Sequence, residues 1–389
     1  MIALYFHIPY CIRKCRYCDF CSFPVDETAG RYCDALLSEI ALRKKQYPNE
    51  QAATVFFGGG TPTILPTADL CRILEAADRA FPLTADAEIS IECNPKTADA
   101  SALKTLRQAG FNRLSVGLQS ADDALLRRIG RVHTYRDFLH TYEWAREAGF
   151  ANINVDVMHG LPGQRQADYL ATLQTVCDLA PEHISAYSLI LEEGTPLYRD
   201  VTARRETLPD EDAVADMQDA GMAYLKERGY DRYEISNFAK PGYACRHNLT
   251  YWHNEPYLGF GVAAHSSMRE GTKQYRFANP ETIPAYMKSL AKGRLPESER
   301  ILINTFEQMF ECIMLGLRLV EGVEDEAFRK RFGVGIFETY PEAIERNRRR
   351  GLWDESDPRC LRLNVRGLDL LNTVLLDFQE PNYWVLHHS

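Results

Sequence analysis

The chain has 389 residues, 45% of them hydrophobic and 25% charged, with a formal net charge of −9. This composition excludes a disordered, collagen-like or coiled-coil chain, and the acidic balance argues against a general nucleic-acid binder. A chain of this length holds two to three domains, can bury roughly three-quarters of its unfolded surface, and contains no run of about 18 apolar residues that would suggest a membrane span.

Met1-Ile2-Ala3-Leu4-Tyr5-Phe6-His7-Ile8 has neither a basic leader nor a small-residue cleavage site, so it reads as a strand rather than a signal peptide. Further strands are predicted at 53–57, 87–92, 113–117, 153–158 and 183–189. Amphipathic helices are predicted between them at 29–45, 68–81, 99–109, 122–129 with 135–148, and 166–179. Thr67 and Thr97 are read as helix-capping residues. Regular alternation of strand and helix indicates a parallel sheet of βα units. Six such units are too few for a closed eight-stranded barrel. The expectation is an open or partial barrel with its site at the carboxyl ends of the strands. Beyond residue 200 the rhythm changes. A long helix is expected at 210–228 and a strand at 231–235. A Gly/Pro/aromatic-rich stretch dense in Tyr, His and Asn follows to Pro296. Helices resume from Arg300, with a strand at 359–363 and a last helix at 368–378, which together suggest a smaller, winged-helix-like unit. The terminal His387-His388 is given no role.

Eleven cysteines are an odd count in a long chain without a secretory signal, so reduced thiols in a cytosolic setting are expected. Cys33, Cys71, Cys177 and Cys312 fall in apolar helical patterns and read as small core residues. Four of the eleven, Cys11, Cys15, Cys18 and Cys21, crowd into the loop after the first strand. Three thiolates spaced Cys11-x3-Cys15-x2-Cys18 suit a cubane cluster with one iron left open, since such clusters normally take four cysteines. A zinc site is the competing reading, but zinc usually shows two separated ligand pairs and no second pair follows.

This cysteine spacing after the first strand of a βα domain resembles the signature of the radical S-adenosylmethionine (SAM) enzymes. Phe57-Gly58-Gly59-Gly60-Thr61-Pro62 resembles that family's glycine-rich SAM motif, where the backbone must approach a ligand closely. Several further stretches are similar to the branch containing the oxygen-independent coproporphyrinogen III dehydrogenases and the HemW-type haem chaperones. They are Tyr5-Phe6-His7-Ile8-Pro9-Tyr10-Cys11, Ile91-Glu92-Cys93-Asn94-Pro95, Ser115-Val116-Gly117-Leu118-Gln119-Ser120, Gly130-Arg131-Val132-His133 and Asp156-Val157-Met158-His159-Gly160-Leu161-Pro162. His247-Asn248-Leu249-Thr250-Tyr251-Trp252 is similar to the HNxxYW element of HemW proteins.

The resemblance implies an α/β fold: a partial (βα)6 TIM-like barrel with a smaller, mainly helical C-terminal domain. It divides the chain into a radical SAM core (1–235), an aromatic, Gly-rich extension carrying HNxxYW (236–299) and a HemN-like C-terminal domain (300–389). It implies a 4Fe-4S cluster on Cys11, Cys15 and Cys18, and SAM contacts at Tyr5, Gly59, Gly60, Thr61, Glu92, Gln119, Arg131 and Asp156. Glu92 and Asp156 each sit in an apolar strand, where a buried carboxylate needs a partner. His247 is implied as the haem contact, imidazole being a good axial ligand, with Tyr251 and Trp252 offering flat surface to a porphyrin. His7 and His159 abut strand ends and read equally as supporting or structural groups. The basic run 346–350 reads as a solvated helix end.

Two departures separate this chain from the dehydrogenases. They carry a fourth cysteine two residues after the third; here that position is Phe20, with Cys21 one residue beyond. They also carry an N-terminal extension, whereas this chain starts at the first strand. The implied function is therefore haem binding and delivery to acceptor haem proteins, respiratory and membrane-associated. That implies a cytoplasmic protein with no membrane anchor, which meets the membrane through its partners and takes electrons from a donor. The alternative is the dehydrogenase itself, which decarboxylates two propionates of coproporphyrinogen III by radical chemistry on SAM.

Overall fold

The computed structural model describes residues 1–271 and 273–379; residues 380–389, including His387-His388 and the end of the predicted C-terminal domain, lie outside them. Six parallel strands, β1 (Ile2–Ile8), β2 (Ala52–Gly59), β3 (Leu83–Cys93), β4 (Arg113–Gln119), β5 (Ile153–His159) and β6 (His183–Ser188), lie side by side in chain order. The helices that connect them include α1 (Thr28–Gln46), α2 (Thr67–Ala80), α3 (Ala100–Gln108), α4 (Asp123–Arg128), α5 (Tyr135–Glu147) and α6 (Gln166–Asp178). This is the partial barrel expected from the alternation.

The strands are mostly buried, yet in all but β2 one parity carries polar side chains. Side chains alternate across a strand. Tyr5 and His7, Ser90 and Glu92, Arg113 and Ser115, Asn154 and Asp156, and His183 and Ser185 therefore fall on one face, while Phe6, Ile91, Leu114, Val155 and Ile184 join the main core. That polar face lines the barrel interior.

The segment after residue 230 belongs to the same sheet. Following α7 (Pro196–Thr202) and α8 (Glu211–Glu227), β7 (Asp231–Arg232) and β8 (Asn237–Ala239) extend the β6 edge antiparallel. After α9 (Arg246–Trp252), β9 (Tyr257–Phe260) pairs parallel with β1, and β10 (His265–Glu270), β11 (Lys273–Ala278) and β12 (Glu299–Ile303) continue that edge antiparallel. The sheet order is β12-β11-β10-β9-β1-β2-β3-β4-β5-β6-β8-β7. The stretch read as Gly/Pro/aromatic-rich thus supplies a seventh parallel strand that composition concealed.

Two capping expectations are corrected. Asp99, not Thr97, caps α3, its carboxylate accepting from Ala102 N at 2.8 Å, while the Thr97 hydroxyl donates to Asn94 O at 2.6 Å and closes the preceding turn. Pro66 occupies the N-cap of α2, with Thr67 already helical.

The C-terminal region has its own core, from Met309 to Phe378. It is mainly helical, beginning with α11 (Thr305–Gly316), which follows α10 (Ile283–Leu290). A short antiparallel pair, Val323–Glu324 with Cys360–Leu361, is its only sheet among the described residues.

Candidate functional site

A cavity of about 460 Å³ opens at the carboxyl ends of the parallel strands, a size typical of small-molecule sites. Its walls include Tyr5, Cys11, Cys15, Cys18, Gly59, Gly60, Glu92, Gln119, Arg131, Asp156 and His247. Thr61 lies just behind, lining an adjoining crevice with Cys15, Asn94 and Arg131. The fold thus brings together residues read from seven separate motifs.

The cysteine loop is fastened at several points. His7 Nε2 donates to Cys21 O at 2.8 Å, and its Nδ1 accepts from the Tyr5 hydroxyl at 3.1 Å. Burial pushes the His7 pKa down, so the ring stays neutral and this tautomer is set by the carbonyl it serves. Gly60 N donates to Ile8 O and Thr61 N to Tyr10 O, both at 2.8 Å. On the other side, Arg13 reaches Gly130 O at 3.0 Å, and Arg16 N donates to Ile129 O at 3.0 Å.

The glycine motif answers first to this packing. Gly59 has φ +110°, and a Cβ there would lie 2.6 Å from the His7 ring. A Cβ on Gly60 would lie 2.6 Å from Tyr10 O. The close approach that glycine permits here is strand two against the cysteine loop.

All eleven cysteines are free, and Cys11, Cys15 and Cys18 are half-buried at the cavity rim. Donors are aimed at two of their sulfurs: Thr61 Oγ1 lies 3.6 Å from Cys11 Sγ, and Arg131 Nη1 lies 3.6 Å from Cys15 Sγ. Such donors suit sulfurs that carry negative charge on a cluster. Among the described residues no three His, Cys, Asp or Glu side chains converge as a single-ion site requires. A cubane asks instead for one thiolate per iron, spread around it, so the donor set fits a cluster better than the zinc reading. Cys21 faces away from the cavity, its Sγ 3.4 Å from Glu281 O.

Two half-buried carboxylates share the cavity. Burial first, and the neighbouring Asp156 second, push the Glu92 pKa up to about 8, against a backbone hydrogen bond from Gly59. Asp156 is also raised, mainly by burial, although Asn154 Nδ2 donates to it at 2.7 Å. Neither has a cationic partner within 4 Å among the described residues. Arg113 holds both pKa values down, and Arg131 that of Asp156, from beyond ion-pair distance. Carboxylates taken partly out of water without a close ion pair remain costly, and a ligand carrying ammonium or sulfonium would relieve that cost. The cavity therefore fits the cation that the sequence implied.

The sequence reading missed several residues. Asn94 donates to Thr61 Oγ1 at 2.7 Å and accepts from Arg131 Nη2 at 2.5 Å, binding three motifs into one wall. Arg131 also donates to Gly117 O at 2.6 Å. Gln119, at φ +75° beyond a bulge at the end of β4, accepts from the Tyr187 hydroxyl at 3.0 Å. Arg113, Ser115, Asn154 and Ser185 form the floor. Period-2 polarity within otherwise apolar strands was the signal that could have found these four.

His247 lies at the start of α9, 1% exposed. Its Nδ1 is 2.8 Å from Thr54 Oγ1, its Nε2 is 2.9 Å from the Tyr251 hydroxyl, and its ring stacks on Phe56 with centroids 5.1 Å apart. Burial pushes its pKa down to about 3. Tyr251 shares the main cavity with it. Trp252 does not: it lines a separate cavity of about 440 Å³ against the C-terminal region, so the paired flat surface expected of Tyr251 and Trp252 is split. The basic run 346–350 is remote and largely paired, Arg346 and Arg350 with Asp377 at 2.6 and 2.8 Å, and Arg348 and Arg349 with Glu345.

Residues 5–176 match the radical SAM superfamily, and residues 306–370 match the HemN C-terminal domain. The chain is 38% identical over 363 residues to the heme chaperone HemW of Bacillus subtilis (strain 168), covering 92% of this chain and 94% of that one. It is 35% identical to the heme chaperone HemW of Escherichia coli (strain K12), covering 82% and 83%. It is also 35% identical to the mitochondrial radical S-adenosyl methionine domain-containing protein 1 of Bos taurus, covering 96% and 86%. Among solved structures, coproporphyrinogen III oxidase (HemN) from Escherichia coli superposes with a TM-score of 0.83 at 24% identity, over 97% of this chain and 90% of that one, a likeness of fold.

Proposed function

Because the chain belongs to the HemW family of radical SAM proteins, we propose that it is a haem chaperone, which binds haem and hands it to acceptor haem proteins. The superfamily implies a 4Fe-4S cluster and SAM. In this reading Cys11, Cys15 and Cys18 hold the cluster, with the fourth iron left for SAM. When bound, the pair supplies a one-electron route to the sulfonium. Glu92 and Asp156 receive the ligand's positive charge. Arg131 and Thr61 donate toward the cluster sulfurs, and Tyr5 fixes His7 so that the loop keeps its shape.

The observation that carries the choice of chaperone over dehydrogenase is Phe20, an exposed phenyl ring on the cavity wall where the dehydrogenases have a fourth cysteine. His247 supplies the haem contact. One consistent assignment has Nδ1–H donating to Thr54 and Nε2 accepting from Tyr251. A ligating histidine is oriented in the same way, through its other nitrogen, so iron binding exchanges the Tyr251 hydroxyl for the metal. The acceptors in this reading are respiratory haem proteins met at the membrane surface. No helix among the described residues is long and apolar enough to cross a membrane.

The test is anaerobic cluster reconstitution followed by parallel incubations, one with haem and one with coproporphyrinogen III, SAM and a reductant. The proposal expects a saturable Soret shift that His247→Ala abolishes, and no protoporphyrinogen. Turnover of coproporphyrinogen without a Soret shift would establish the dehydrogenase instead.

A further inference from the structure

Beside the main cavity, and sharing Tyr187 and Ser236 with it, lies a second cavity of about 240 Å³. It sits where the carboxyl ends of β5 and β6 meet α8 and the C-terminal region. His159, the last residue of β5, is 3% exposed, and neither ring nitrogen has a hydrogen-bond partner among the described residues. Its ring packs against Tyr169, with centroids 5.2 Å apart. Leaving buried donors and acceptors unmet is costly, a cost that the Thr54 and Tyr251 hydroxyls spare His247.

Across the cavity stands Arg318, two residues beyond α11. Its guanidinium rests on the Trp252 ring, 4.8 Å from the centroid; its Nε has no partner, and among the described residues no carboxylate lies within 4 Å of it. No acidic side chain lines the cavity. The remaining wall is partly apolar, with Met222, Ile235 and Phe238, and Ile190 is exposed at its edge.

A cation and an unpaired imidazole set in an apolar wall, without an acidic neighbour, select a carboxylate carried on an apolar body. We propose that the His159–Arg318 cavity binds a propionate of the tetrapyrrole cargo. The inference rests on the haem-chaperone reading and adds a recognition site to it. Arg318 pairs with the carboxylate while keeping its stack on Trp252, and His159 donates a hydrogen bond to the same group. The aromatic pair of the HNxxYW element then has two tasks: Tyr251 caps His247 in the main cavity, and Trp252 carries the arginine that reads the propionate.

Haem and haem dimethyl ester, which lacks the charged carboxylates, are titrated separately into the cluster-loaded full chain and followed by Soret absorbance. The wild type is expected to prefer haem. Arg318→Gln should weaken haem binding roughly tenfold, and His159→Phe several-fold, the range expected for losing a charge-assisted hydrogen bond. Ester affinity should stay as in the wild type, and Arg318→Lys should recover part of the loss. Unchanged haem affinity in both variants, or equal losses for haem and ester, overturns the proposal while leaving the chaperone reading in place. A wild type that binds neither compound overturns both.

Discussion

The rim of the barrel and the pocket around His247 lie in the same cavity but are built on opposite rules. At the rim, Cys11, Cys15 and Cys18 are half-exposed, Glu92 and Asp156 are half-buried without a close ion pair, and donors point at sulfur. At His247 every polar atom of the ring has a partner, and so has the backbone N–H, which donates to Glu88 Oε1 at 3.1 Å. The rim is incomplete without ligands, whereas the His247 pocket is complete and must give up a bond to admit one. Substitutions at the rim should therefore act on cofactor binding, and those around His247 on stability as well as haem.

The largest effect is expected at the cysteines. Replacing Cys11, Cys15 or Cys18 by alanine should remove nearly all reconstituted cluster iron, while Cys21→Ser should leave iron content unchanged, because its thiol is turned toward Glu281 O. Equal losses from all four would erase the distinction between rim and surroundings.

Next comes Gly59→Ala. With φ at +110° and a Cβ 2.6 Å from His7, it should cost roughly 2–4 kcal/mol in denaturant unfolding and loosen the cysteine loop through His7. His247→Phe keeps the stack on Phe56 but strands the Thr54 and Tyr251 hydroxyls. A loss of about 2 kcal/mol is expected, together with loss of haem binding; loss of haem binding at full stability would show the pocket is not structural.

Glu92 gives the comparison a pH signature. Its carboxyl titrates at about 8 in the free protein, so it is mostly protonated at pH 7, whereas a cationic ligand favours the carboxylate. SAM affinity should rise with pH up to about 8, by at most tenfold per unit, with a proton released on binding, and Glu92→Gln should flatten the profile. The folded group holds its proton more tightly than the unfolded one at about 4.5. Its contribution to free-protein stability is thus full below pH about 4.5 and lost as pH rises through 8. The smallest effect belongs to Arg348→Ala, whose exposed pairs with Glu345 and Glu355 should be worth less than about 0.5 kcal/mol.

The sequence made the rim legible because its residues break local rules: three thiols in one loop, carboxylates within apolar strands, glycines where a strand becomes a helix. Arg113, Asn154 and Ser185 break the same rule more quietly, as alternate polar positions in buried strands, and emerge only once the barrel gives that parity an inside. The strand at Tyr257–Phe260 was hidden because four residues between Pro256 and Gly261 carry too little periodicity to separate them from loop. The split between Tyr251 and Trp252 follows from helical geometry: adjacent residues on a helix point in different directions, which makes one flat double surface impossible on α9. His159 could be read only as a strand-end histidine, supporting or structural, since being without a partner is a property of the packed state alone.

The central claim is delivery, and haem transfer tests it most directly. Haem-loaded protein is mixed with a haem-free respiratory b-type cytochrome in membranes or, separately, with apomyoglobin as a passive scavenger, and the Soret band is followed with time. A chaperone that hands over its cargo by contact predicts transfer to the cytochrome at a rate that rises with cytochrome concentration and exceeds loss to the scavenger. Equal rates to both, independent of acceptor concentration, would mean that haem simply dissociates, and would contradict it.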